Sequence, residues 1–209
     1  MKKMGIPIRK SDHKFTYTEY CRWPENERWE LIDGIAYDMS PAPSSAHQSI
    51  SVILSSKIHF FLHDKPCSIF TAPFDVYFQT FPKQDFNTIN TIVQPDLSVI
   101  CDSSKIISKG CLGAPDLIVE ILSPSTNKKD LNEKFQLYER SGVKEYWVID
   151  PGNKYIEIFH LQIKEKETGK YDNGTIIPPV GRQEENTIAT SEVLKGFQID
   201  VNELFVSTF

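Results

Sequence analysis

Two acidic residues in apolar surroundings are the side chains of this sequence best suited to chemistry. Asp96 begins one apolar run, and Glu120 interrupts another, over 116–122. An ionised carboxylate buried without a partner costs several kcal/mol, so we expect Glu120 to face a cleft, pair with a cation or bind a metal. Asp96 by itself is also typical of a turn. Carboxylate oxygens suit Mg²⁺ or Mn²⁺, so the two acids on neighbouring strands would form one cation site.

Several other polar residues fit either a structural or a functional role. Glu30 is an ordinary hairpin residue or a further acid of the site. His47, near a predicted helix start, either hydrogen-bonds locally or contacts a substrate phosphate. Lys128 and Lys129 fit a solvated loop or a contact with nucleic-acid phosphates. Asp75 interrupts an apolar run and is a candidate neighbour of the site.

The elements that must position these residues alternate between strands and helices. The turn residues Asp33 and Gly34 predict a hairpin over 29–38, with Glu30 on its first strand. Apolar spacings of three and four predict two helices, over 46–63 (capped by Ser44 or Ser45) and over 130–140. A short helix is predicted within 14–28. Runs rich in β-branched and aromatic residues predict strands over 68–79, 91–101, 116–122 and 145–150, and a final hairpin from 154–161 and 174–177.

The strand, helix and strand between residues 116 and 150 predict a βαβ unit, which requires parallel pairing and a right-handed crossover. The hairpins add antiparallel strands, so the fold class is α/β with a mixed (α+β) sheet. If the strand over 91–101 lies beside the strand over 116–122, Asp96 and Glu120 converge.

Composition indicates an ordinary globular chain. It has 209 residues, of which 40% are apolar and 24% charged, and a formal net charge of -5. These values exclude a disordered, collagen-like or disulfide-dense class, and one domain over 1–209 is the simplest organisation. The net charge leaves nucleic-acid binding undecided. Four widely spaced cysteines predict reduced packing residues: Cys21, Cys67, Cys101 and Cys111.

No apolar run is long enough for a membrane span, and the N-terminal residues do not resemble a secretory signal. We therefore expect a cytoplasmic protein. Edge hairpins and the apolar segment 201–206 are surfaces for pairing, and cutting both strands of a duplex commonly uses two active sites. A homodimer is the predicted assembly.

Beyond these patterns, the sequence resembles the Uma-two family, a branch of the PD-(D/E)xK nuclease superfamily that is classed with the restriction endonucleases. The similarity covers roughly 30–159, and its combination of short motifs is specific where each motif alone is weak. The matching parts are Glu30 to Gly34, His47, Pro95-Asp96, 114–125, Lys134, Tyr138 and 142–151. The resemblance implies a restriction-endonuclease-like core over about 29–160, with a mixed central sheet flanked by helices.

The resemblance also implies a function. Asp96 and Glu120 match the motif acids and would hold Mg²⁺, with Mn²⁺ as a substitute. Leu122 departs from the pattern, which has lysine there, and Lys134 is the candidate replacement. With Glu30 these residues form the implied catalytic set, and the substrate contacts are assigned to His47, Lys128 and Lys129. The implied reaction is Mg²⁺-dependent hydrolysis of phosphodiester bonds, in DNA rather than RNA. The alternative is a catalytically inactive module that binds nucleic acid or protein.

Overall fold

The computed structural model describes residues 13–24, 27–39, 42–123, 130–163, 169–177 and 186–205. Its α-helices are α1 (Tyr17–Tyr20), α2 (Ser45–Phe61), α3 (Phe135–Ser141) and α4 (Val201–Leu204). A π-helical turn, Asp130–Lys134, leads into α3. Short 3₁₀ helices span Phe86–Thr88 and Ser103–Lys105. No helix in these ranges is long and apolar enough to cross a membrane.

The strands form two mixed sheets and one separate strand pair. In chain order they are β1 (Trp29–Ile32), β2 (Ile35–Asp38), β3 (Ser68–Thr71), β4 (Val76–Tyr77), β5 (Ile92–Val93), β6 (Leu97–Ile100), β7 (Ile106–Ile107), β8 (Gly110–Leu112), β9 (Leu117–Ile121), β10 (Glu145–Asp150), β11 (Tyr155–Gln162), β12 (Lys170–Tyr171), β13 (Thr175–Ile177), β14 (Ile188–Thr190) and β15 (Gln198–Asp200).

The first sheet has the order β2-β1-β5-β4-β8-β7, and the second has the order β12-β11-β10-β9-β6-β3, with β13 also paired to β11. Strands β9 and β10 are parallel and are joined through α3, which confirms the predicted βαβ unit. Strands β6 and β9 are antiparallel neighbours. The pairing on which the predicted acid site depends is therefore present in the second sheet.

Turn and capping residues in the sequence predicted several elements correctly. Asp33 and Gly34 have φ angles of 53° and 79°, and they connect β1 and β2 in the predicted hairpin. The Ser44 side chain accepts a hydrogen bond from the backbone N–H of His47 at 3.2 Å and so caps α2. Gly142 ends α3 in the left-handed conformation, with φ 85°. The helix predicted over 46–63 is confirmed within two residues at each end. The helix predicted over 130–140 is confirmed as a helical segment, of which the first five residues form the π-helical turn and the rest form α3.

Two of the predicted strands are wrong in their extent. The run over 68–79 is divided into β3 and β4, and the run over 91–101 is divided into β5 and β6. In each case the two parts belong to different sheets. The breaks coincide with a cis peptide bond before Pro73 and with Pro95, and proline has no N–H for a strand ladder. Asp75 and Asp96 follow these breaks, so each lies just before a new strand.

The prediction that all four cysteines are reduced is wrong for Cys67 and Cys101, which form a disulfide. Strands β3 and β6 pair with Ser68 opposite Ile100, so continuing this register places the two cysteines opposite each other, with Cα atoms 3.9 Å apart. The remaining cysteines, Cys21 and Cys111, are free thiols. Burial raises the pKa of Cys111 to about 11, which keeps it protonated at neutral pH.

Alternation along β9 directs its side chains into two different apolar clusters. Leu117, Val119 and Ile121 pack with the inner face of α2. Ile118 and Leu122, which lie on the opposite side, pack with residues of α3. Leu122 is 6% exposed, so the position where the nuclease pattern has lysine is occupied here by a core residue. Glu120 lies two residues after Ile118, so its side chain points to the same face of β9, the face that packs against α3.

Candidate active site

The two motif acids belong to adjacent segments of the second sheet, Glu120 within β9 and Asp96 immediately before β6. Leu97 of β6 pairs with Val119 of β9, and continuing this antiparallel register places Asp96 opposite Glu120. The Oδ2 atom of Asp96 accepts a hydrogen bond from the backbone N–H of Ile121 at 2.7 Å. This bond fixes the aspartate to the strand that carries Glu120. The predicted pairing of the two strands is confirmed, with Asp96 one position before the start of β6.

Glu120 is held by two donors from the helical segment after β9. Its Oε1 atom accepts hydrogen bonds from the Nζ of Lys134 at 2.8 Å and from the hydroxyl of Tyr138 at 2.6 Å. Burial, reinforced by the nearby Glu120 carboxylate, raises the pKa of Tyr138 well above its ordinary value. Tyr138 therefore stays protonated and acts as a donor to Glu120. The buried carboxylate is thus paired with a cation, one of the outcomes expected from the sequence.

Lys134 lies between two buried acids. Its Nζ atom is 2.8 Å from Oε1 of Glu120 and 3.0 Å from Oε1 of Glu30. Lys134 is 3% exposed and Glu30 is fully buried. The ammonium was expected beside Asp96 and Glu120, whereas the structure places it between Glu120 and Glu30. Two carboxylates around one ammonium attract that cation and fix its position.

Gln94 connects Glu30 to a further acid. Its backbone N–H donates to Oε1 of Glu30 at 2.9 Å, and its Nε2 donates to Oδ1 of Asp75 at 2.8 Å. The other Asp75 oxygen accepts a hydrogen bond from the Tyr77 hydroxyl at 2.9 Å. Gln94 also accepts a hydrogen bond from Nη2 of Arg28 at 3.1 Å. The sequence indicated Asp75 only as a candidate neighbour of the site. The structure links Asp75 to Glu30 through one residue, Gln94.

His47 reaches the site from the first turn of α2. Its Nε2 atom lies 3.1 Å from Oδ2 of Asp96. The residue is 7% exposed, and its Nδ1 atom is buried without a hydrogen-bond partner. His47 and the backbone N–H of Ile121 therefore contact the same oxygen and together orient the Asp96 carboxylate.

The structure brings together five of the residues selected from the sequence: Glu30, His47, Asp96, Glu120 and Lys134. The two lysines selected as phosphate contacts, Lys128 and Lys129, lie outside the described residues. Tyr138 and Gln94 were not selected as site residues. Both had a local signal, because Tyr138 lies four residues after Lys134 on the same helix face and Gln94 precedes the Pro95-Asp96 motif.

The donor atoms fit a hard divalent cation held by few protein ligands. Within the described residues there is no group of three or more His, Cys, Asp or Glu that could hold a metal. Mg²⁺, however, usually binds through one or two carboxylates and completes its shell with water and substrate phosphates. Both hydrogen bonds of the Asp96 carboxylate within the described structure use Oδ2, which leaves Oδ1 for a ligand. Asp96 with Glu120 therefore forms an acceptable two-carboxylate site.

Residues 17–202 of this chain match the family Uma2, described as "Putative restriction endonuclease". Among individual proteins, the chain is 32% identical over 150 residues to the uncharacterized protein slr1290 of Synechocystis sp. (strain PCC 6803). That alignment covers 70% of this chain and 74% of the relative. The similarity therefore extends well beyond the site motifs.

The fold is also similar to a solved structure, that of a putative nuclease belonging to DUF820 from Anabaena variabilis. The TM-score is 0.69 at 20% sequence identity, and the match covers 91% of this chain and 97% of the other. At this identity the likeness establishes the fold. It confirms the expected restriction-endonuclease-like arrangement of a mixed sheet with flanking helices.

Proposed function

Because the chain belongs to the Uma2 family of putative restriction endonucleases, we propose that it is a Mg²⁺-dependent endonuclease that hydrolyses phosphodiester bonds in DNA rather than RNA. The observation that carries this proposal is the buried Lys134 ammonium, held by Glu120 and Glu30. Two acids and a lysine in one place are the parts such hydrolysis requires, and here they come from three separate segments of the chain.

Each residue of the site then has a role that follows from its contacts. Asp96 and Glu120 would hold the cation, which when bound polarises the scissile phosphate and lowers the pKa of the attacking water. Lys134 orients that water or stabilises the negative charge that develops on the phosphate. Tyr138 fixes Glu120 through its hydroxyl, and His47 fixes Asp96. The positioning contacts keep the reacting groups in one geometry.

The remaining assignments belong to the same proposal. His47, Lys128 and Lys129 would also contact substrate phosphates. We propose one domain over 1–209, which the shared apolar cluster supports because it joins Ile32 and Val76 of the first sheet to Tyr146 of the second. A cytoplasmic location is proposed as well, although the Cys67–Cys101 disulfide is a kind of bond rare in that compartment.

A catalytically inactive module that binds nucleic acid or protein is the second candidate. Two observations favour it: Leu122 replaces the motif lysine in the core, and Lys134 is almost entirely enclosed by the two carboxylates. An ammonium held in this way contributes to catalysis only if substrate or metal binding gives it access to the reacting phosphate. The two candidates differ in cleavage, not in fold.

Cleavage of supercoiled plasmid and of single-stranded DNA by the purified chain, with Mg²⁺ or Mn²⁺ and with EDTA, tests the proposal. We expect nicked or linear products only with the divalent cation. The matched RNA substrate should be cut more slowly. DNA that is bound and stays intact under all conditions would favour the inactive module.

The metal site can be tested without cleavage. Mn²⁺ is expected to raise the melting temperature of the wild-type chain by mass action, and Asp96→Asn is expected to abolish that rise because one of the two carboxylates is lost. Differential scanning fluorimetry with and without Mn²⁺ measures both. The apo proteins are not compared, since removing one carboxylate relieves repulsion with its neighbour. A Mn²⁺ response that survives Asp96→Asn would remove Asp96 from the site.

Homodimer formation is also testable. Light scattering at micromolar concentration is expected to give a mass of about twice 24.0 kDa. Within the described residues, the apolar side chains exposed on α2, Val52 and Phe60, provide one surface for such contact. A single species with the mass of one chain would contradict the prediction.

A further inference from the structure

The described residues around the site carry more negative than positive charge. Glu30, Asp75, Asp96 and Glu120 are acids, whereas Lys134 is 3% exposed and already lies between two of them. A nucleic-acid strand brings further negative charge, and like charges repel at close range. Binding of the strand therefore requires positive charge at the solvent-exposed edge of the site, in addition to any metal.

Arg28 occupies such an edge position. It is exposed, and it directly precedes β1, which carries Glu30. Its Nη2 atom donates to Oε1 of Gln94 at 3.1 Å. Gln94 in turn contacts Glu30 and Asp75 through its backbone N–H and its Nε2. One residue, Gln94, therefore links the guanidinium to two acids of the site.

The guanidinium of Arg28 keeps most of its hydrogen-bonding capacity. Within the described structure its partner is the neutral amide oxygen of Gln94. Arg140, by contrast, donates from Nη2 to both carboxylate oxygens of Asp33, at 2.7 and 2.8 Å. A guanidinium presents five N–H donors in a planar fork that matches the oxygens of a phosphate. Arg28 can therefore accept an anionic ligand without giving up an ion pair.

The charge of Arg28 acts on the same tyrosine, Tyr20, as two of the acids. Burial is the main cause that raises the pKa of Tyr20, and the fields of Asp75 and Glu30 raise it further, while Arg28 lowers it. All three charged groups therefore lie close enough to the Tyr20 hydroxyl to affect it. This agrees with the hydrogen-bond chain from Arg28 through Gln94.

We propose that Arg28 binds a backbone phosphate of duplex DNA at the edge of the acidic site and so holds the strand against Asp96 and Glu120. This inference rests on the proposed nuclease function. The phosphate accepts hydrogen bonds from the guanidinium N–H groups that do not contact Gln94, while the contact with Gln94 holds the Arg28 side chain near Glu30 and Asp75. The contact is made to the backbone and carries no base specificity.

Binding of a fluorescently labelled short DNA duplex, measured by anisotropy over a series of salt concentrations with Ca²⁺ replacing Mg²⁺, tests the inference. Arg28→Gln is expected to weaken binding about tenfold at moderate salt, the scale of one charge-assisted contact, and to reduce the salt slope by about 0.9. Arg28→Lys should keep the salt slope of the wild type, because the positive charge is retained. Its affinity should lie between those of Arg28→Gln and the wild type, because an ammonium lacks the planar set of donors of a guanidinium. Arg140→Gln, which removes an arginine already paired with Asp33, should match the wild type.

The outcomes separate this inference from the nuclease proposal. Equal affinity and equal salt slope for Arg28→Gln and the wild type would overturn the role of Arg28 even if the wild type cleaves DNA. Arg28-dependent binding without cleavage would support the contact and contradict the nuclease. Absence of DNA binding by the wild type would overturn both. Unchanged melting temperatures are expected for all three variants, since both arginines are exposed.

Discussion

Lys134→Met is expected to lower the free energy of unfolding by about 3–5 kcal/mol and cleavage by about 10²-fold or more. The ammonium is 2.8 Å from Glu120 and 3.0 Å from Glu30, and all three residues are almost fully buried. Removing the cation takes away the positive charge that lies between the two carboxylates and leaves their like charges to repel each other. The sequence indicated Lys134 as the candidate replacement for the motif lysine, but it did not reveal that the residue is only 3% exposed.

Lys57→Met provides the matched control in chemical denaturation. Lys57 also forms an ion pair, with Glu203, but the two side chains are 38% and 49% exposed. Surface pairs of this kind contribute at most about 1 kcal/mol, so Lys57→Met should stay close to the wild type. A loss of stability in Lys134→Met no larger than in Lys57→Met would contradict the buried ion pair.

A double variant separates folding from catalysis. Glu30→Gln combined with Lys134→Met removes one negative and one positive charge, so the net charge of the cluster equals that of the wild type. We expect much of the lost stability to return, while cleavage stays low because the ammonium is still absent. If the double variant, or Lys134→Met alone, cleaves plasmid at the wild-type rate, Lys134 is not the cation of the reaction.

Glu120→Gln is expected to keep the fold and to lose cleavage by about 10³-fold or more, together with the Mn²⁺-induced rise in melting temperature. The amide oxygen can still accept hydrogen bonds from Lys134 and Tyr138, and Glu30 still balances the ammonium. What the variant loses is the charged oxygen that binds the cation. Plasmid cleavage and scanning fluorimetry measure the two effects.

Glu145→Gln is the control for a buried carboxylate outside the site. Glu145 is fully buried, and its Oε2 atom accepts hydrogen bonds from the Ser191 hydroxyl and from the backbone N–H groups of Glu192 and Val193. If the amide nitrogen of glutamine occupied the position of Oε2, it would face these hydrogen-bond donors and could not accept from them. We expect this to lower the free energy of unfolding by about 1–3 kcal/mol. We expect lower stability with unchanged cleavage per folded molecule. Cleavage by Glu120→Gln as fast as by Glu145→Gln would exclude Glu120 from the mechanism.

Local patterns predicted most of the fold. The helical periodicity over 46–63 and the apolar strand Glu145–Asp150 depend on neighbours in the chain, and the structure has both elements. The prediction failed where one apolar run passes between two sheets, at Pro73 and Pro95. It also missed β7 and β8, which have two and three residues and lack a periodic signal of their own.

The sequence by itself determined which residue types are available: a buried strand carrying Glu120, a proline followed by Asp96, and a lysine on the next helical segment. Only the tertiary structure decided which of these groups meet. Lys134 contacts Glu30, 104 positions earlier, because β1 and the helical segment approach the same end of β9. Side-chain periodicity is a property of a few successive residues, whereas ion pairing is set by the packing of distant segments. For that reason the sequence indicated Glu30, Glu120 and Lys134 as residues of one site, but it did not indicate that Lys134 lies between the two glutamates.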